Sequence, residues 1–473
     1  FLLRQQGGEL VEPQQEEGAA PRPSPARSSP PSSCCGSTSS PPCCRCAPCS
    51  RPEPAPAGGC YPPPVTTDHP LSLRDPVHGF VRADRLEAAL IDSHPLQRLR
   101  SIHQLGLMSL VFPGAEHSRF GHVLGAMELA GQAFDALAAR APAPLRERLG
   151  PRERRLVRAA ALLHDIGHAP YSHSAEGLFE EGIDHEEMTR RLIAGEEIGA
   201  IFARHGEGIE GAEVAALLAG RPDGPRLLFQ IVAGELDVDK MDYLLRDSLF
   251  CGVRYGNYDL PRLLDTLLPV ADPETGEWGI GVDEGGVHAV EALVLARYYM
   301  FTQVYFNVTA KALELHLSEW LRREGHRWPA TAERFLAEDD LTVLARLRAS
   351  RDPHARALTE RRRYPLAFET REHLSSAEKR RFEELLPELA RTFPAEDLLI
   401  SNSAKDPHKL GPGRVWVRRR DGSLEPMAEA SHFIRFLTRI ERYRIYARPE
   451  VAPAVGGFLA ARWPDGVDRG RRE

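Results

Sequence analysis

The sequence predicts a mainly α-helical protein with a small α+β addition near its C-terminal end and a disordered N-terminal tail. After Leu71, apolar residues recur at helical spacing through most of the chain, and strand-like alternation occurs only in short stretches. Residues 1–69 contain 15 of the 39 prolines, and Ser, Gly and Ala fill much of the remainder. Because such a composition cannot bury enough apolar surface to offset the loss of chain entropy, we expect this segment to be disordered.

The overall composition is ordinary for a globular protein and excludes some functional classes. The 473 residues carry 60 basic and 67 acidic side chains, and no run of 18 apolar residues occurs, so we expect no transmembrane helix. A net charge of −7 does not suit sequence-independent DNA binding over the whole surface, although local basic patches are compatible with it. Nucleic acid is therefore an open but not an indicated partner.

The cysteines are concentrated in the predicted tail. Seven of the eight lie between Cys34 and Cys60, and the eighth is Cys251. The cluster at 43–49 could bind a metal, but it has no second cysteine pair at zinc-finger spacing and no histidine nearby. We favour a dispensable tail over a zinc module. The remaining chain is almost free of cysteine, which is typical of a reducing compartment and predicts a cytoplasmic protein.

Helices are predicted along most of the remaining chain, beginning with a short one that Asp84 caps. The predicted helices span 84–91, 95–105, 122–139, 151–166, 185–193, 211–219, 224–233, 240–247, 260–268, 286–320, 330–337 and 341–349. The predicted strands span 277–282 and 414–418, which alternate enough for hairpin strands, and 442–447. The predicted domains are the tail over 1–69, a helical core over 70–325 and an α+β extension over 326–473.

The most informative stretch is 159–173, an apolar helix that ends in His164 and Asp165 and is followed by His168 and His173. An ionised Asp buried beside a His is costly unless something compensates for it. A divalent cation would do so, since imidazole and carboxylate both suit Mn, Fe or Zn. The alternative is a helix C-cap in which Gly167 is left-handed. Three histidines and an Asp in so short a stretch favour the metal.

Two further stretches supply residues that would complete a metal site. Upstream, His122 lies at the start of an apolar helix, and His117 precedes it by five residues. Downstream, residues 237–247 contain four acids in eleven residues, which is more than a solvated helix face needs. One His, one His-Asp pair and one distant Asp would give a four-ligand site.

This order of His, His-Asp and Asp resembles the signature of the HD-domain phosphohydrolase superfamily. Further motifs are similar to those of the deoxynucleoside triphosphate triphosphohydrolases, both the bacterial enzymes and the animal enzyme with an appended sterile-alpha-motif domain. In order they are DPVHGF at 75–80, QRLR at 97–100, QLG at 104–106, VFPG at 111–114, HSRFGH at 117–122 and DVDKMDY at 237–243. The resemblance is good over about 71–320, weaker to about 448 and absent from 1–69.

The resemblance implies an HD-domain helical core that hydrolyses deoxynucleoside triphosphates to deoxynucleoside and tripolyphosphate. It implies a divalent metal (Mn, Fe, Mg, Zn or Ni), an activator nucleotide and a homo-oligomer. The implied metal ligands are His122, His164, Asp165 and Asp239, with His117 as the competing candidate. The implied catalytic residues are His168, His173, Glu176 and His185. The implied substrate-binding residues are Gln104, Arg119, Lys240, Tyr243 and Asp247. The implied allosteric residues are Asp92, Arg98 and Arg100.

Some alternatives stay open at the level of sequence. Arg119 and Lys240 could form ion pairs with neighbouring acids, and the allosteric arginines could form surface ion pairs of small energetic value. Within 300–307 we identify no phosphate-binding Arg, and Asn307 stands where relatives often have His. The alternative functions are an HD phosphohydrolase acting on another nucleotide, and a non-catalytic nucleotide sensor or nucleic-acid-binding regulator. The pocket motifs argue against the first, and the additional histidines argue against the second.

We predict that residues 1–69 are unnecessary for folding and activity, because the motifs begin only after Leu71. A chain that starts near Thr66 should keep the thermal midpoint and the specific activity of the full chain. Both quantities can be measured side by side on the two purified proteins. A large loss in both would mean that the cysteine cluster or the proline-rich stretch contributes to the folded core.

Overall fold

The computed structural model describes residues 70–172, 177–408 and 415–463. Helices account for most of these residues and the sheets are small, so the predicted fold class is confirmed. The predicted tail with its cysteine cluster, and the predicted catalytic residues His173 and Glu176, lie outside the described residues. Among the helices that are described, none has the length and apolarity needed to cross a membrane.

The described part of the chain contains twenty α-helices. The first ten are α1 (Arg85–Ile91), α2 (His94–Arg98), α3 (Arg119–Ala139), α4 (Ala143–Arg146), α5 (Pro151–Leu163), α6 (His185–Ile193), α7 (Glu196–His205), α8 (Gly211–Leu218), α9 (Leu227–Ala233) and α10 (Val238–Phe250). The next ten are α11 (Leu260–Thr266), α12 (Val287–Met300), α13 (Val308–Arg323), α14 (Ala332–Leu336), α15 (Asp340–Ala349), α16 (Pro353–Thr359), α17 (Ser376–Thr392), α18 (Met427–Ala430), α19 (His432–Phe436) and α20 (Ala452–Ala460).

The strands form three small sheets. They are β1 (Leu71–Asp75), β2 (Gly79–Ala83), β3 (Leu267–Ala271), β4 (Trp278–Asp283), β5 (Leu366–Glu369), β6 (Leu398–Lys405), β7 (Trp416–Arg418), β8 (Leu424–Pro426) and β9 (Ile440–Ala447). The hairpin β1–β2 is antiparallel. A second sheet has the order β3-β4-β7-β8 with β4 and β7 parallel, and the third has the antiparallel order β5-β9-β6.

Local sequence signals account well for the helices that begin with a capping residue. Asp84 caps α1 as predicted: its Oδ1 accepts the backbone N–H of Glu87 at 2.9 Å, and Glu87 Oε2 accepts the backbone N–H of Asp84 at 2.9 Å. The predicted bounds of α6 match those in the structure, where Asp184 caps the helix through the N–H of Glu187.

Several predicted helices were too long, and the largest differences fall on two of them. The helix predicted over 95–105 ends at Arg98 and continues only as a 3-10 turn, Leu99–Ser101. The long helix predicted over 286–320 is interrupted between α12 and α13 by a π-helical turn, Phe301–Tyr305. Asn307 then caps α13, because its Oδ1 accepts the N–H groups of Thr309 at 2.9 Å and Ala310 at 3.1 Å.

The predicted strand pairing was also incomplete. The strand predicted at 277–282 is β4, and its hairpin partner is β3, whose first residues were predicted as the end of a helix. The strand predicted at 414–418 is β7, which pairs with β4 in parallel and forms its own hairpin with β8. Because β3 and β4 precede residue 325 and β7 and β8 follow it, this sheet joins the predicted core to the predicted extension.

Two hydrophobic clusters hold most of the described chain together. The larger one extends from Val81 to Ile434 and includes the facing surfaces of α3, α5 and α10. The smaller one lies under the β5-β9-β6 sheet and is built from α17, α20 and the strands, with Phe382 and Trp463 among its largest members. The larger core therefore places the N-terminal half of α3 beside the C-terminal half of α5, which brings His122 next to His164.

A buried pair of histidines joins α13 to α16. His316 Nε2 accepts the backbone N–H of Tyr364 at 3.0 Å, so the ring proton must lie on Nδ1, which donates to His354 Nδ1 at 2.8 Å. Burial, together with the charges of the neighbouring His354 and Arg363, lowers the pKa of His316 to about 3. A second proton on His316 would place an N–H against the N–H of Tyr364.

We predict that this pair makes folding sensitive to acid. The folded-state pKa of His316 is below its ordinary value of 6.5, so the unfolded chain takes up the proton first. Its contribution to the free energy of unfolding is complete above pH 6.5 and falls by about 2 kcal/mol between pH 7 and pH 5. Urea unfolding at pH 7 and pH 5 should show that His316→Gln loses less free energy of unfolding between these pH values than the unmodified chain. The Gln side chain can still accept a hydrogen bond from Tyr364 and donate one to His354.

The control is His288→Gln, because His288 is exposed and pairs only with Glu291 on its own helix. That variant should keep the pH dependence of the unmodified chain. Equal losses of stability between pH 7 and pH 5 in the His316 and His288 variants would contradict the conclusion that His316 causes the acid sensitivity.

Candidate active site

Four side chains predicted as metal ligands converge in the helical core. His122 comes from α3, His164 and Asp165 follow the end of α5, and Asp239 lies in the first turn of α10. Ligand atoms of His122, His164 and Asp165 all lie within 4.8 Å of one another. His122 Nε2 is 3.1 Å from Asp239 Oδ1, and His164 Nε2 is 3.3 Å from Asp165 Oδ1.

The tautomers of the two histidines are fixed by their other ring nitrogen. His164 Nδ1 lies 2.7 Å from the carbonyl oxygen of Ala161, which can only accept, so Nδ1 carries the proton and the neutral ring has a lone pair on Nε2. His122 Nδ1 contacts Asp242 Oδ2 at 2.7 Å. Both Nε2 atoms are buried without a hydrogen-bond partner. Two imidazole nitrogens and two carboxylates suit a divalent cation, so the residues present fit one.

The charges of this group shift the pKa values of His122 and Asp239 in opposite directions. Burial acts to lower the pKa of His122, but the carboxylates of Asp239 and Asp242 outweigh it and raise this pKa to about 10. Conversely, burial raises the pKa of Asp239, and His122 and His164 outweigh it and hold this pKa below its ordinary range. The clustered carboxylates therefore favour a positive charge beside them, which a divalent cation would supply.

His117, the competing ligand candidate, is placed elsewhere. Its Nε2 contacts Asp247 Oδ1 at 2.8 Å, and its ring stacks on Phe250 with centroids 4.5 Å apart.

The helix-cap alternative for the His-Asp pair also lacks support. Gly167 does not have a positive φ; instead a Cβ at this position would lie 2.2 Å from the carbonyl oxygen of His185, so glycine permits close approach of α6.

A network of buried charged side chains contacts His122 at its Nδ1 atom. Asp242 is fully buried, and its two oxygens contact His78 Nε2 at 2.7 Å, His122 Nδ1 at 2.7 Å and two N–H groups of Arg246 at 2.8 Å. Arg246 also donates to Asp75 at 2.8 Å. A Cβ on Gly125 of α3 would lie 1.9 Å from Asp242 Oδ1, so glycine is required where α3 approaches this carboxylate.

A cavity of about 620 Å³ opens beside the four ligands. Most of the predicted functional residues that are described line it. They are His164, Asp165, Asp239, His168, His185, Gln104, Arg119, Lys240, Tyr243 and Asp247. A volume of this size lies in the usual range for a small-molecule site.

Arg119 and Lys240 form the ion pairs considered as their alternative, yet both also line the cavity. Arg119 donates to Asp165, and its Nε donates to Ser172 Oγ at 3.0 Å. Lys240 donates to Asp237 and to the carbonyl oxygen of Gly234. Ion pairing with an acid at the cavity wall and contact with a ligand in the cavity do not exclude each other.

His168 and His185 lie together at the cavity wall, with ring centroids 4.2 Å apart. His168 Nδ1 is 3.2 Å from Asp165 Oδ1. Burial, and then the charge of Arg119, hold the pKa of His168 well below its ordinary value, so this ring is neutral. The roles of these histidines as catalytic residues stay predictions.

Sequence analysis missed several cavity residues that carry charge or aromatic rings. Those on the interrupted helix and beyond it are Arg297, Phe301, Tyr305, Lys311 and Lys405. Arg297 is buried, and its Nη1 donates to the carbonyl oxygens of Asp406 at 3.2 Å and Pro407 at 2.7 Å. The signal available was that Arg297 is the sole Lys or Arg within 287–310.

The predicted allosteric residues lie in three different environments. Asp92 is exposed at the end of α1. Arg98 is buried, and it donates to the carbonyl oxygens of Glu338 at 2.7 Å and His168 at 3.0 Å. Arg100 is exposed, with its guanidinium 3.7 Å from the centre of the Phe120 ring. Their role toward an activator nucleotide stays a prediction.

Comparison with family models identifies the class of protein. Residues 119–247 match the HD domain, and residues 264–461 match the HD associated region. The first match contains the four proposed ligands, and the second contains the cavity residues Arg297, Lys311 and Lys405. The chain therefore belongs to the HD-domain phosphohydrolase superfamily, as the sequence motifs predict.

The chain is also similar to individual curated proteins. The chain is 38% identical to an uncharacterized protein, YwfO, of Bacillus subtilis over 253 residues, which are 53% of this chain and 55% of the relative. It is 35% identical to deoxynucleoside triphosphate triphosphohydrolase SAMHD1 of Gallus gallus over 229 residues, 42% of this chain and 37% of the relative. The chain thus spans about half the length, or less, of these curated relatives.

The fold has a close match among solved structures. The crystal structure of a hypothetical protein from Aquifex aeolicus superimposes with a TM-score of 0.70 at 31% identity. The match covers 82% of this chain and 99% of that protein. The helical core and the HD associated region therefore occur together as one arrangement in that relative.

We predict that Asp242 determines metal affinity although it is not a ligand. Asp242→Asn can no longer accept hydrogen bonds at both oxygens, so the ring of His122 loses its fixed orientation. The dissociation constant for Mn²⁺, measured by calorimetry, should rise about 10- to 100-fold. His164→Ala, which removes a ligand, should lose most of the bound metal.

The matched control is Asp135→Asn on α3, where the exposed carboxylate pairs with Arg154 at 2.8 Å. This variant should bind Mn²⁺ like the unmodified chain. An Asp242→Asn protein that is folded by circular dichroism and binds Mn²⁺ with unchanged affinity would refute the supporting role.

Proposed function

We propose that this protein is a metal-dependent hydrolase that splits deoxynucleoside triphosphates into deoxynucleoside and tripolyphosphate. The observation that carries the proposal is that three of the four proposed ligands, His164, Asp165 and Asp239, line one cavity. Arg119, Lys240 and Arg297 also line it. A cation site and several positive side chains in one cavity suit a ligand with several phosphate groups.

The chemistry requires three contributions. A divalent cation held by His122, His164, Asp165 and Asp239 would draw electron density from a phosphoryl oxygen. The chain itself supplies positive charge that neutralises the remaining phosphates through arginine forks and the Lys240 ammonium. It also supplies groups that can position water and deliver a proton to the leaving oxygen.

His168 and His185 are the described residues best placed for proton transfer. The neutral ring of His168 can accept a proton, and its contact with Asp165 orients it. His185 begins α6 and lies against His168, so a proton can pass between the rings or through a bound water. We extend this role to His173 and Glu176 on the basis of the family resemblance alone.

Another part of the cavity wall suits a nucleoside. Tyr305 donates to Asp247 Oδ2 at 2.7 Å, and the rings of Tyr243 and Tyr305 lie 6.3 Å apart, edge to face. A buried carboxylate beside two phenol groups can accept and donate hydrogen bonds to a sugar hydroxyl, while the rings pack against it. Gln104, whose buried amide oxygen has no hydrogen-bond partner, offers one more polar contact.

The proposal extends to a cytoplasmic homo-oligomer in which Asp92, Arg98 and Arg100 bind an activator nucleotide. This part rests on the resemblance and on the relatives named as triphosphohydrolases. The positions of Arg98 and Arg100 outside the cavity wall are compatible with a role apart from the chemistry. Sedimentation of the protein with and without added nucleotide tests it directly.

We predict that the protein loaded with Mn²⁺ releases tripolyphosphate from at least one of the four deoxynucleoside triphosphates. Products can be separated by ion-exchange chromatography. Asp165→Ala should abolish turnover together with metal binding. His185→Ala should keep its metal and lose a factor of roughly 10²–10⁴ in kcat, the usual contribution of a general acid or base. The exposed His288→Ala serves as the matched control and should remain active.

Other outcomes would point to other functions. Release of pyrophosphate or phosphate would indicate an HD phosphohydrolase with different chemistry. Tight nucleotide binding without turnover, and with metal present, would indicate a sensor. Unchanged kcat in His185→Ala would remove that residue from the proposed mechanism.

A further inference from the structure

The loop that follows the His-Asp pair has an unusual backbone. Tyr171 and Ser172 both have φ of 56°, in the left-handed region that residues with side chains rarely adopt. Both residues are buried, and both line the cavity. Such a conformation persists only where the surrounding structure holds it, so the groups that contact this loop determine the shape of the cavity wall.

One carboxylate from the HD associated region holds this loop. Asp340, the first residue of α15, is 2% exposed. Its Oδ1 accepts the backbone N–H of Tyr171 at 2.7 Å. Its Oδ2 accepts the backbone N–H of His103 at 2.9 Å and contacts His103 Nδ1 at 2.6 Å. Asp340 thus ties the strained loop to the segment that precedes α3.

From Asp340, hydrogen bonds continue to a proposed metal ligand. Ser172 Oγ donates to the carbonyl oxygen of His103 at 2.9 Å and accepts from Arg119 Nε at 3.0 Å. This uses the single proton of the hydroxyl and one of its lone pairs. Arg119 in turn donates to Asp165. The carboxylate of Asp340 is therefore connected through a short series of polar contacts to the carboxylate of Asp165.

Arg98 provides a second connection between the same two parts of the chain. Its guanidinium donates to the carbonyl oxygen of Glu338, just before α15, and to that of His168, in the loop. Phe335 of α14 lies under the guanidinium, 4.4 Å from ring centre to Cζ. Residues 335–340 are therefore connected to the loop directly at Tyr171 and, through Arg98, at His168.

Capping of α15 does not explain why the carboxylate of Asp340 is buried. The cap of this helix is Asp339, whose Oδ1 accepts the N–H of Thr342 at 2.8 Å. Asp340 is the next residue, and its oxygens accept from Tyr171 and His103, which are distant in sequence. A buried carboxylate that accepts from three donors outside its own helix is a connection between parts of the fold.

We propose that Asp340 is a positioning residue that holds the loop of residues 168–172 and, through His103 and Ser172, the guanidinium of Arg119 against Asp165. In this way the HD associated region sets the geometry of the metal site in the HD domain. The effect on turnover rests on the phosphohydrolase function proposed above. The effects on loop conformation and on metal affinity do not.

The test compares Asp340→Ala with Asp339→Ala, two neighbouring Asp-to-Ala changes of which only the first touches the loop. Asp340→Ala should speed amide hydrogen exchange at 168–172 and raise the dissociation constant for Mn²⁺ about 10-fold. Its kcat should fall about 10- to 100-fold, with a much smaller change in KM. Asp339→Ala should speed exchange at the start of α15 and leave the loop, Mn²⁺ binding and kcat unchanged.

Two further variants keep the test decisive. If Asp340→Ala does not fold, Asp340→Asn retains one acceptor oxygen and should show the same changes in smaller measure. Ser172→Ala should lower Mn²⁺ affinity and kcat without speeding amide hydrogen exchange in α15. It removes the hydroxyl that connects His103 to Arg119 and leaves the contacts of Asp340 in place.

Unchanged loop exchange and unchanged Mn²⁺ affinity in folded Asp340 variants would overturn the proposal. Equal effects of Asp339→Ala and Asp340→Ala would also overturn it, since general weakening of α15 would then be the cause. If the unmodified chain hydrolyses no nucleotide, the proposed function fails, while exchange and Mn²⁺ affinity still decide whether Asp340 positions the loop.

Discussion

The site depends on a charged pair, Asp242 and Arg246, buried within a helical core. An unpaired carboxylate there would be very costly, but every oxygen of Asp242 receives hydrogen bonds from His78, His122 or Arg246. Because these contacts are complete, the carboxylate has one arrangement, and His122 has one orientation. The required close approach of α3 is possible because Gly125 has no side chain. The close approach of α3, the buried pair Asp242 and Arg246, and the orientation of His122 therefore depend on one another.

The sequence predicted those features that depend on residues close together in the chain. The capping pair Asp84–Glu87 and the bounds of α6 follow from local hydrogen bonding. The proposed ligands could be named because the His-Asp pair is adjacent and the remaining motifs occur in a fixed order. The large shared core also follows from the apolar periodicity of α3 and α5, which leaves each helix with a face to bury.

The remaining features depend on contacts between distant residues, which periodicity does not reveal. Asp242 contacts His78 across 164 residues, and Asp340 contacts Tyr171 across 169 residues. Asp340 looks like an ordinary acid on a helix until the chain is folded, and the acid-rich stretch around Asp242 does not reveal its contact with His78. The break in the long predicted helix was missed for a related reason. Apolar residues continue through Phe301–Tyr305, so the pattern does not mark the π-helical turn.

Two irregular parts of the backbone contribute to the cavity wall. The π-helical turn places Phe301 and Tyr305 at the wall, and π-turns often mark functional sites because they alter the direction of side chains. The left-handed residues Tyr171 and Ser172 contribute to the wall at a different point.

Close approach at Gly167 adds a third departure from regular helix packing, since it brings α6 near enough for His185 to contact His168. Regular helices supply a rigid core, and these three deviations from them place polar or aromatic groups at the same cavity. This coincidence is a reason, independent of any motif, to place the function of the molecule at this cavity.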